Sequence, residues 1–400
     1  MALLFPFTKC SSVVPLVALF VLFICGLQMT GVHSVGVCYG KIADNLPSDS
    51  DVVNHCHANG INKIRLYYPD TNVLNALRGS NIEVLLDVPV EHVKTLAQDP
   101  NQARIWVNNN IKAYFPSVRF KYIAVGNEIS PIKHVEFAPF VGPAIENVHN
   151  AIVEAGLQGQ IKVSTATYSA LLTNTWPPQN SIFNPDWRGF TDPIVKLLKD
   201  NNLPLLVNIY PYFSYIYNTK DIPLSYALFT DSGRNSAGYQ NLFDALVDSM
   251  YYALEKSGAP NVEIVVSETG WPSYGHPAAT TDNARTYYRN LINHVRNGTP
   301  KKPGRNIETF LFAMFDENRK GGDETERHFG LFYPDRNSKP ISDVSSDLTT
   351  KSDQLVLLFT RSDLERRIGL QLDQAILEDI LIPANPHGNN HNPLYDIDSI

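Results

Sequence analysis

Eight short apolar runs, rich in β-branched residues, recur along the chain with helix-like segments between them. They are Val35–Tyr39, Lys63–Tyr67, Glu83–Val88, Tyr122–Val125, Lys162–Ala166, Pro204–Ile209, Glu263–Ser267 and Glu308–Phe315. Segments 48–59, 70–78, 91–114, 139–155, 192–201, 239–256 and 282–297 fill the gaps with helical spacing. Gly60, Gly79 and Gly298 follow three of them, where glycine is a helix stop signal. Strands alternating with helices over roughly 300 residues indicate a parallel sheet. Eight runs favour an α/β fold closed into a (β/α)8 TIM barrel over an open doubly wound sheet. A dinucleotide-binding sheet would need a glycine-rich turn after its first strand, and Tyr39–Asp44 lacks the G-x-G-x-x-G pattern.

In such a barrel the chemistry sits at the carboxyl ends of the strands. Two ends stand out. Val265-Val-Ser-Glu-Thr-Gly-Trp-Pro-Ser273 delivers Glu268 before a glycine break and Trp271, and Tyr122-Ile-Ala-Val-Gly-Asn-Glu128 delivers Asn127 and Glu128. The other ends supply Tyr39, Tyr67, Asp87, Tyr168, Tyr210 and Glu317, but no histidine and no Ser/His/Asp set. Carboxylates, amides and aromatic rings without a phosphate loop suit a neutral polyhydroxylated ligand. Glycosidic bonds are commonly cleaved by two carboxyl groups, one acting as acid and the other as nucleophile or base. The acid must keep its proton near working pH, which burial or a facing carboxylate favours. Glu128 and Glu268 are the candidates.

Charge agrees with a neutral ligand. The net charge of −7 does not suggest a nucleic-acid surface. Most of the acidity is terminal: residues 341–400 hold ten acidic and four basic residues, whereas residues 35–340 hold 30 and 28.

Seven stretches resemble the plant endo-1,3-β-glucanases of glycoside hydrolase family 17, in family order. They are Gly36-Val-Cys-Tyr-Gly40, Arg65-Leu-Tyr-Tyr-Pro-Asp70, Ala124-Val-Gly-Asn-Glu128, Asn208-Ile-Tyr-Pro-Tyr-Phe213, Val266-Ser-Glu-Thr-Gly-Trp-Pro-Ser273, Phe312-Ala-Met-Phe-Asp-Glu-Asn318 and His328-Phe-Gly-Leu-Phe332. The resemblance implies an endo-hydrolase of β-1,3-glucan, callose or fungal wall glucan, with no metal or cofactor. It implies Glu128 as general acid/base on the fourth strand and Glu268 as nucleophile on the seventh. It further implies a retaining outcome, for which carboxyl groups lie about 5–5.5 Å apart. Asn127 would bind a sugar 2-hydroxyl, Tyr210 would hold the nucleophile, and Glu317 with Lys320 would form a charged pair beside the acids. Tyr39 and Trp271 would wall the cleft, Trp271 equally being a packing residue. A mixed 1,3;1,4-β-glucanase and a catalytically silent glucan-binding barrel are the alternatives.

The Tyr-rich stretch 210–226 opens the longest interval between strands and reads as an insertion after strand six, either an aromatic cleft wall or a small local core. Trp176-Pro177-Pro178 begins a second long loop, after strand five.

Three segments follow. Lys9, the apolar run Val13–Leu27 and Val32-His33-Ser34 read as a secretory signal peptide over residues 1–34. The barrel occupies 35–340. Cleavage leaves Cys38 and Cys56; the place of Cys38 in the first apolar run favours free thiols over a bridge. Asn297-Gly298-Thr299 is the single N-x-S/T sequon, a site for surface glycosylation. Residues 341–400 depart from the family pattern. They have no cysteine for a carbohydrate-binding module and no long apolar end for a lipid anchor. Leu364, Ile368, Leu372, Ile376 and Ile380 recur every four residues, an amphipathic helix over 361–380 that could pack on the barrel, self-associate or touch a membrane. The remainder reads as disordered. The whole suggests a secreted monomer, extracellular in the cell wall or vacuolar, with no membrane anchor and no nucleic-acid partner.

Overall fold

The computed structural model describes residues 35–337 and Lys339. The signal-peptide reading and the helix expected over 361–380 lie outside them. Each apolar run supplies one barrel strand: β1 (Val35–Tyr39), β2 (Lys63–Leu66), β3 (Glu83–Val88), β4 (Arg119–Asn127), β5 (Lys162–Tyr168), β6 (Leu205–Asn208), β7 (Ile264–Thr269) and β8 (Thr309–Leu311). All neighbours are parallel, and the sheet closes in the order β1-β8-β7-β6-β5-β4-β3-β2. Parallel strands covered on both faces read as continuous apolar runs rather than alternating ones, and every residue of β1, β2, β6 and β7 is buried.

Helices cover the outside. Ser48, Asp70, Asn241 and Thr280 cap four of them, each side chain accepting a first-turn backbone N–H. The segment expected as one helix over 91–114 is broken in two. Val90–Gln98 and Pro100–Val107 meet at Asp99, which is extended (φ −137°) and caps the second helix. Pro100 has no N–H to continue the first helix, so its place at the start of a new one is the favourable one. The last strand is shorter than the run Glu308–Phe315. Beyond Leu311 the chain turns to new partners: Phe312 N donates to Thr269 O, Ala313 N to Phe329 O, and Phe332 N to Met314 O.

The insertion after β6 contains the helices Pro211–Tyr217 and Leu224–Ala227, followed by the long helix Leu242–Lys256. After β5, Leu172–Thr173 and Ile182–Phe183 form a two-stranded hairpin, with Trp176 exposed between them. Cys38 and Cys56 are buried free thiols. Among the described residues no helix is long and apolar enough to cross a membrane.

The amino-terminal mouth of the barrel is plugged by charge. Glu308 accepts from Lys63 Nζ (2.6 Å), Lys121 Nζ (2.9 Å) and the Tyr122 hydroxyl (2.7 Å). Burial raises the Glu308 carboxyl, but the two ammonium groups outweigh it and hold it below the usual range. Its stabilisation is therefore present above the ordinary glutamate value of about 4.3 and lost as pH falls through the lower folded value. Glu308→Gln strands the buried Lys63 ammonium and is expected to cost about 2–4 kcal/mol at neutral pH. Urea unfolding should show that deficit shrinking as pH drops and Glu308 is protonated in the wild type.

Candidate active site

Two strand irregularities build the site. Between the β4–β5 pairs Ala124–Ser164 and Asn127–Ala166, β4 advances three residues and β5 two. The extra residue is a bulge, a device that re-aims side chains. Gly126 makes it, with φ +77°; a methyl group there would lie 2.4 Å from Ile129 Cδ1. Glu128 follows with φ +54°, its N–H donated to Ala166 O. Neighbours on a regular strand point to opposite faces, yet Asn127 and Glu128 both line one cleft.

Strand β7 carries the second bulge. Val207 lies opposite Val266 but Asn208 opposite Glu268, and β8 shows the same extra residue between Val266 and Thr269. Ser267 and Glu268 therefore both reach the barrel axis: Ser267 Oγ donates to Asn208 Oδ1 at 2.8 Å, and Glu268 accepts from Tyr67 (2.8 Å) and Arg65 (2.9 Å) on Oε1 and from Tyr210 (2.8 Å) on Oε2.

Arg65 is the hub. Its guanidinium has no exposed surface and forks onto Asp87 through Nε (3.2 Å) and NH2 (2.7 Å). NH2 also reaches Asn127 Oδ1 at 3.0 Å, and NH1 reaches Asn208 Oδ1 at 3.3 Å and Ser267 O at 3.1 Å. Burial raises the Asp87 carboxyl, with Arg65 opposing. Asn208 completes the link, its Nδ2 donating to Asn127 Oδ1 and Glu128 Oε1, both at 3.0 Å. The two glutamates are thus joined through Asn208 and Arg65.

Above this network lies an open cleft of about 780 Å³. Tyr67, Tyr68, Tyr210, Phe213, Tyr217, Phe312 and Phe329 supply aromatic surface; Glu128, Glu268, Glu317 and Glu326 supply carboxylates. Glu317 is buried and accepts the Ile42 N–H at 2.9 Å. Burial raises its carboxyl above the usual range, against that hydrogen bond and Lys320. It packs where Gly40 has no side chain, since a methyl there would sit 2.3 Å from Glu317 Oε1.

Six of the eight expected site residues line the cleft: Asn127, Glu128, Tyr210, Glu268, Glu317 and Lys320. Tyr39 and Trp271 do not; the expected place of Tyr39 on the wall is corrected, and of the two readings of Trp271 the packing one agrees with its burial. Tyr39 is 2% exposed, bonded to Asp49 and edge-on to Phe315. Trp271 is fully buried among Tyr212, Tyr215 and Tyr287, with Nε1 donating to Ala278 O. Each packs against the surrounding elements and away from the cleft. The expected Glu317–Lys320 pair also differs: the Lys320 ammonium pairs with Glu326 at 3.1 Å and lies 4.1 Å over the Phe312 ring.

The insertion's rings divide. Tyr210, Phe213 and Tyr217 face the cleft, whereas Tyr212 and Tyr226 are buried in a local core. Sequence reasoning placed Tyr67 and Asp87 at strand ends without a role, and gave no role to Arg65, Asn208, Lys133 or Glu326. Arg65 carried a signal, a fixed charge inside the apolar run Lys63–Tyr67. Among the described residues no group of three His, Cys, Asp or Glu is placed to hold a metal ion.

Residues 35–343 match the family model Glycosyl hydrolases family 17, and residues 355–400 match that of the NPH3 family. The acidic isoform GI9 of Glucan endo-1,3-beta-glucosidase from Nicotiana tabacum is 63% identical over 320 residues, 80% of this chain and 93% of its own. Among solved structures, CJP38, a beta-1,3-glucanase and allergen of Cryptomeria japonica pollen, superposes with a TM-score of 0.74. It is 43% identical over 76% of this chain and 97% of its own. A structure from a study of two plant beta-glucan endohydrolases with distinct substrate specificities gives a TM-score of 0.72, with 45% identity over 76% of this chain and 98% of its own. The family match runs from the first barrel strand past the last, and relatives share the sequence along nearly their whole length; the chain belongs to glycosyl hydrolases family 17.

Proposed function

We propose that this chain is an endo-acting hydrolase of 1,3-β-D-glucosidic linkages in β-1,3-glucans, with Glu268 as nucleophile and Glu128 as general acid/base. The observation that carries this reading is the asymmetry of the two glutamates. Three donors fix both oxygens of Glu268, which suits a carboxylate that must attack a sugar carbon along one line. Glu128 stands in the same cleft with a single buried donor, Asn208, on Oε1.

The mechanism follows from these contacts. Glu268 attacks the anomeric carbon while Glu128 protonates the departing oxygen, and Glu128 then takes a proton from the water that releases the sugar with retained configuration. Asn127 Oδ1 accepts from Arg65 and Asn208, which orients its NH2 toward the cleft, where a sugar 2-hydroxyl would meet it. Glu317 and the Lys320–Glu326 pair bind hydroxyls nearby. The open cleft admits a chain passing through, as internal cleavage requires, and its aromatic faces stack on sugar rings.

Callose and fungal wall glucan are the substrates this reading favours, and the second places the enzyme in plant defence. Mixed 1,3;1,4-β-glucan is the second reading, since a solved relative comes from a pair of plant beta-glucan endohydrolases with distinct substrate specificities. Laminarin and barley-type mixed glucan, digested in parallel, separate the two by which one yields short oligosaccharides. A protein that binds laminarin without raising reducing ends is a glucan-binding barrel and not an enzyme.

We place the enzyme outside the cell as a monomer, with delivery to the vacuole as the alternative. Asn297 is exposed just beyond the helix Thr281–His294, at the surface where a glycan would attach. Mass analysis of protein secreted from plant cells, with and without glycan removal, checks both the attachment and cleavage after Ser34.

A further inference from the structure

Glu128 accepts a side-chain donor on each oxygen. Asn208 Nδ2 holds Oε1 at 3.0 Å, and Lys133 Nζ holds Oε2 at 2.6 Å. The two donors differ. Asn208 is buried and locked on every side, whereas the Lys133 side chain is 52% exposed.

The backbone under Lys133 is nevertheless fixed. Ser130 is fully buried; its N–H donates to Lys133 O at 2.8 Å, and its Oγ accepts the N–H groups of Ile132 (3.2 Å) and Lys133 (3.0 Å). The same Oγ lies 2.9 Å from the Tyr168 hydroxyl. A rigid loop thus aims a flexible stem at one carboxylate oxygen.

That oxygen is the one the reaction needs. With Oε1 accepting from Asn208, the proton Glu128 passes to a leaving group must sit on Oε2. An ammonium offers only donors, so Lys133 and that proton compete for one site. We propose that Lys133 is a positioning residue that occupies Oε2 of Glu128 in the empty cleft and releases it when a glucosyl unit enters on the leaving-group side. This rests on the hydrolase reading above.

The proton balance closes. As Lys133 turns, still protonated, to a hydroxyl of the incoming sugar, Oε2 takes a proton from bulk water. That proton goes to O3 of the leaving chain as the C1–O3 bond breaks and the bond from C1 to the Glu268 carboxylate forms. The water that later attacks C1 returns a proton to Glu128, and Lys133 closes again. Burial opposes the Lys133 charge, but Glu128 holds the ammonium above its ordinary range. The other charged or titratable groups facing this pair are Glu268 from β7, Tyr168 from β5 and Tyr210 at the start of the insertion. Arg65 stands one contact behind, through Asn208.

The test compares the full chain with Lys133→Met and Lys133→Arg, measuring kcat/KM on laminarin against pH. Removing an opposite charge favours the protonated acid, so the high-pH limb of Lys133→Met should move up by about one pH unit. Its KM should rise severalfold as the sugar loses a donor. Lys133→Arg keeps the charge, and its limb should stay near wild type. Thermal midpoints should coincide, since the side chain is half exposed. A Lys133→Met limb that stays in place or moves down overturns the proposal. An inactive wild type takes down the hydrolase reading first, which distinguishes the two failures.

Discussion

Glu268→Ala is expected to lower kcat on laminarin by at least about 10⁴-fold, the scale seen when a catalytic nucleophile is removed. The reason is geometric as well as chemical. Glu268 is the residue on which Arg65, Tyr67 and Tyr210 converge, and no other carboxylate of the cleft is held on both oxygens by these three side chains. Sugar binding should survive, because the aromatic surface and Asn127 stay in place. Affinity electrophoresis in laminarin gels, run beside a reducing-end assay, separates binding from turnover. Release of oligosaccharides within tenfold of wild type would sink the assignment of Glu268 as nucleophile.

Arg65→Met should be the most damaging single change to the fold and the site together. Methionine fills the stem's volume and removes every donor. Asp87, 1% exposed, and Glu268, 6% exposed, then lose their shared counter-charge, and Asn127 and Asn208 lose the group that orients them. Breaking a buried pair from one side costs about 3–5 kcal/mol. Turnover should fall by on the order of 10²-fold or more, because a misaligned nucleophile forfeits much of what positioning contributes. Arg65→Lys should not rescue either property, since an ammonium cannot fork onto Asp87 while reaching Glu268. Urea unfolding and laminarin assays read the two effects. A variant within about 1 kcal/mol of wild type would show that the hub is dispensable.

The barrel was legible because parallel strands announce themselves as unbroken apolar runs, and Val35–Tyr39 or Glu263–Ser267 can be little else. The glutamates were legible because each ends such a run. Depth was not legible. Tyr39 and Trp271 sit at or just past strand ends like the residues of the cleft, and only packing against Phe315 or Tyr212 shows that they turn away from it. Arg65 was hidden for the opposite reason: a charge in an apolar run looks like an edge, whereas here it sits at the barrel axis with partners from four other strands. Lys320 shows a third limit. The family resemblance suggested Glu317 as its partner, but the chain folds Glu326 back to meet it.

The two bulges bear on how this site could be moved or redesigned. A regular strand offers one residue in two to a given side, so a graft of Asn-Glu onto an ideal barrel would present one of the pair and bury the other. Here β4 and β7 each spend one extra residue to present both. The transferable unit is therefore the irregular strand with Gly126 and its partners, and a designer who smooths the backbone would erase the chemistry while keeping every catalytic letter of the sequence.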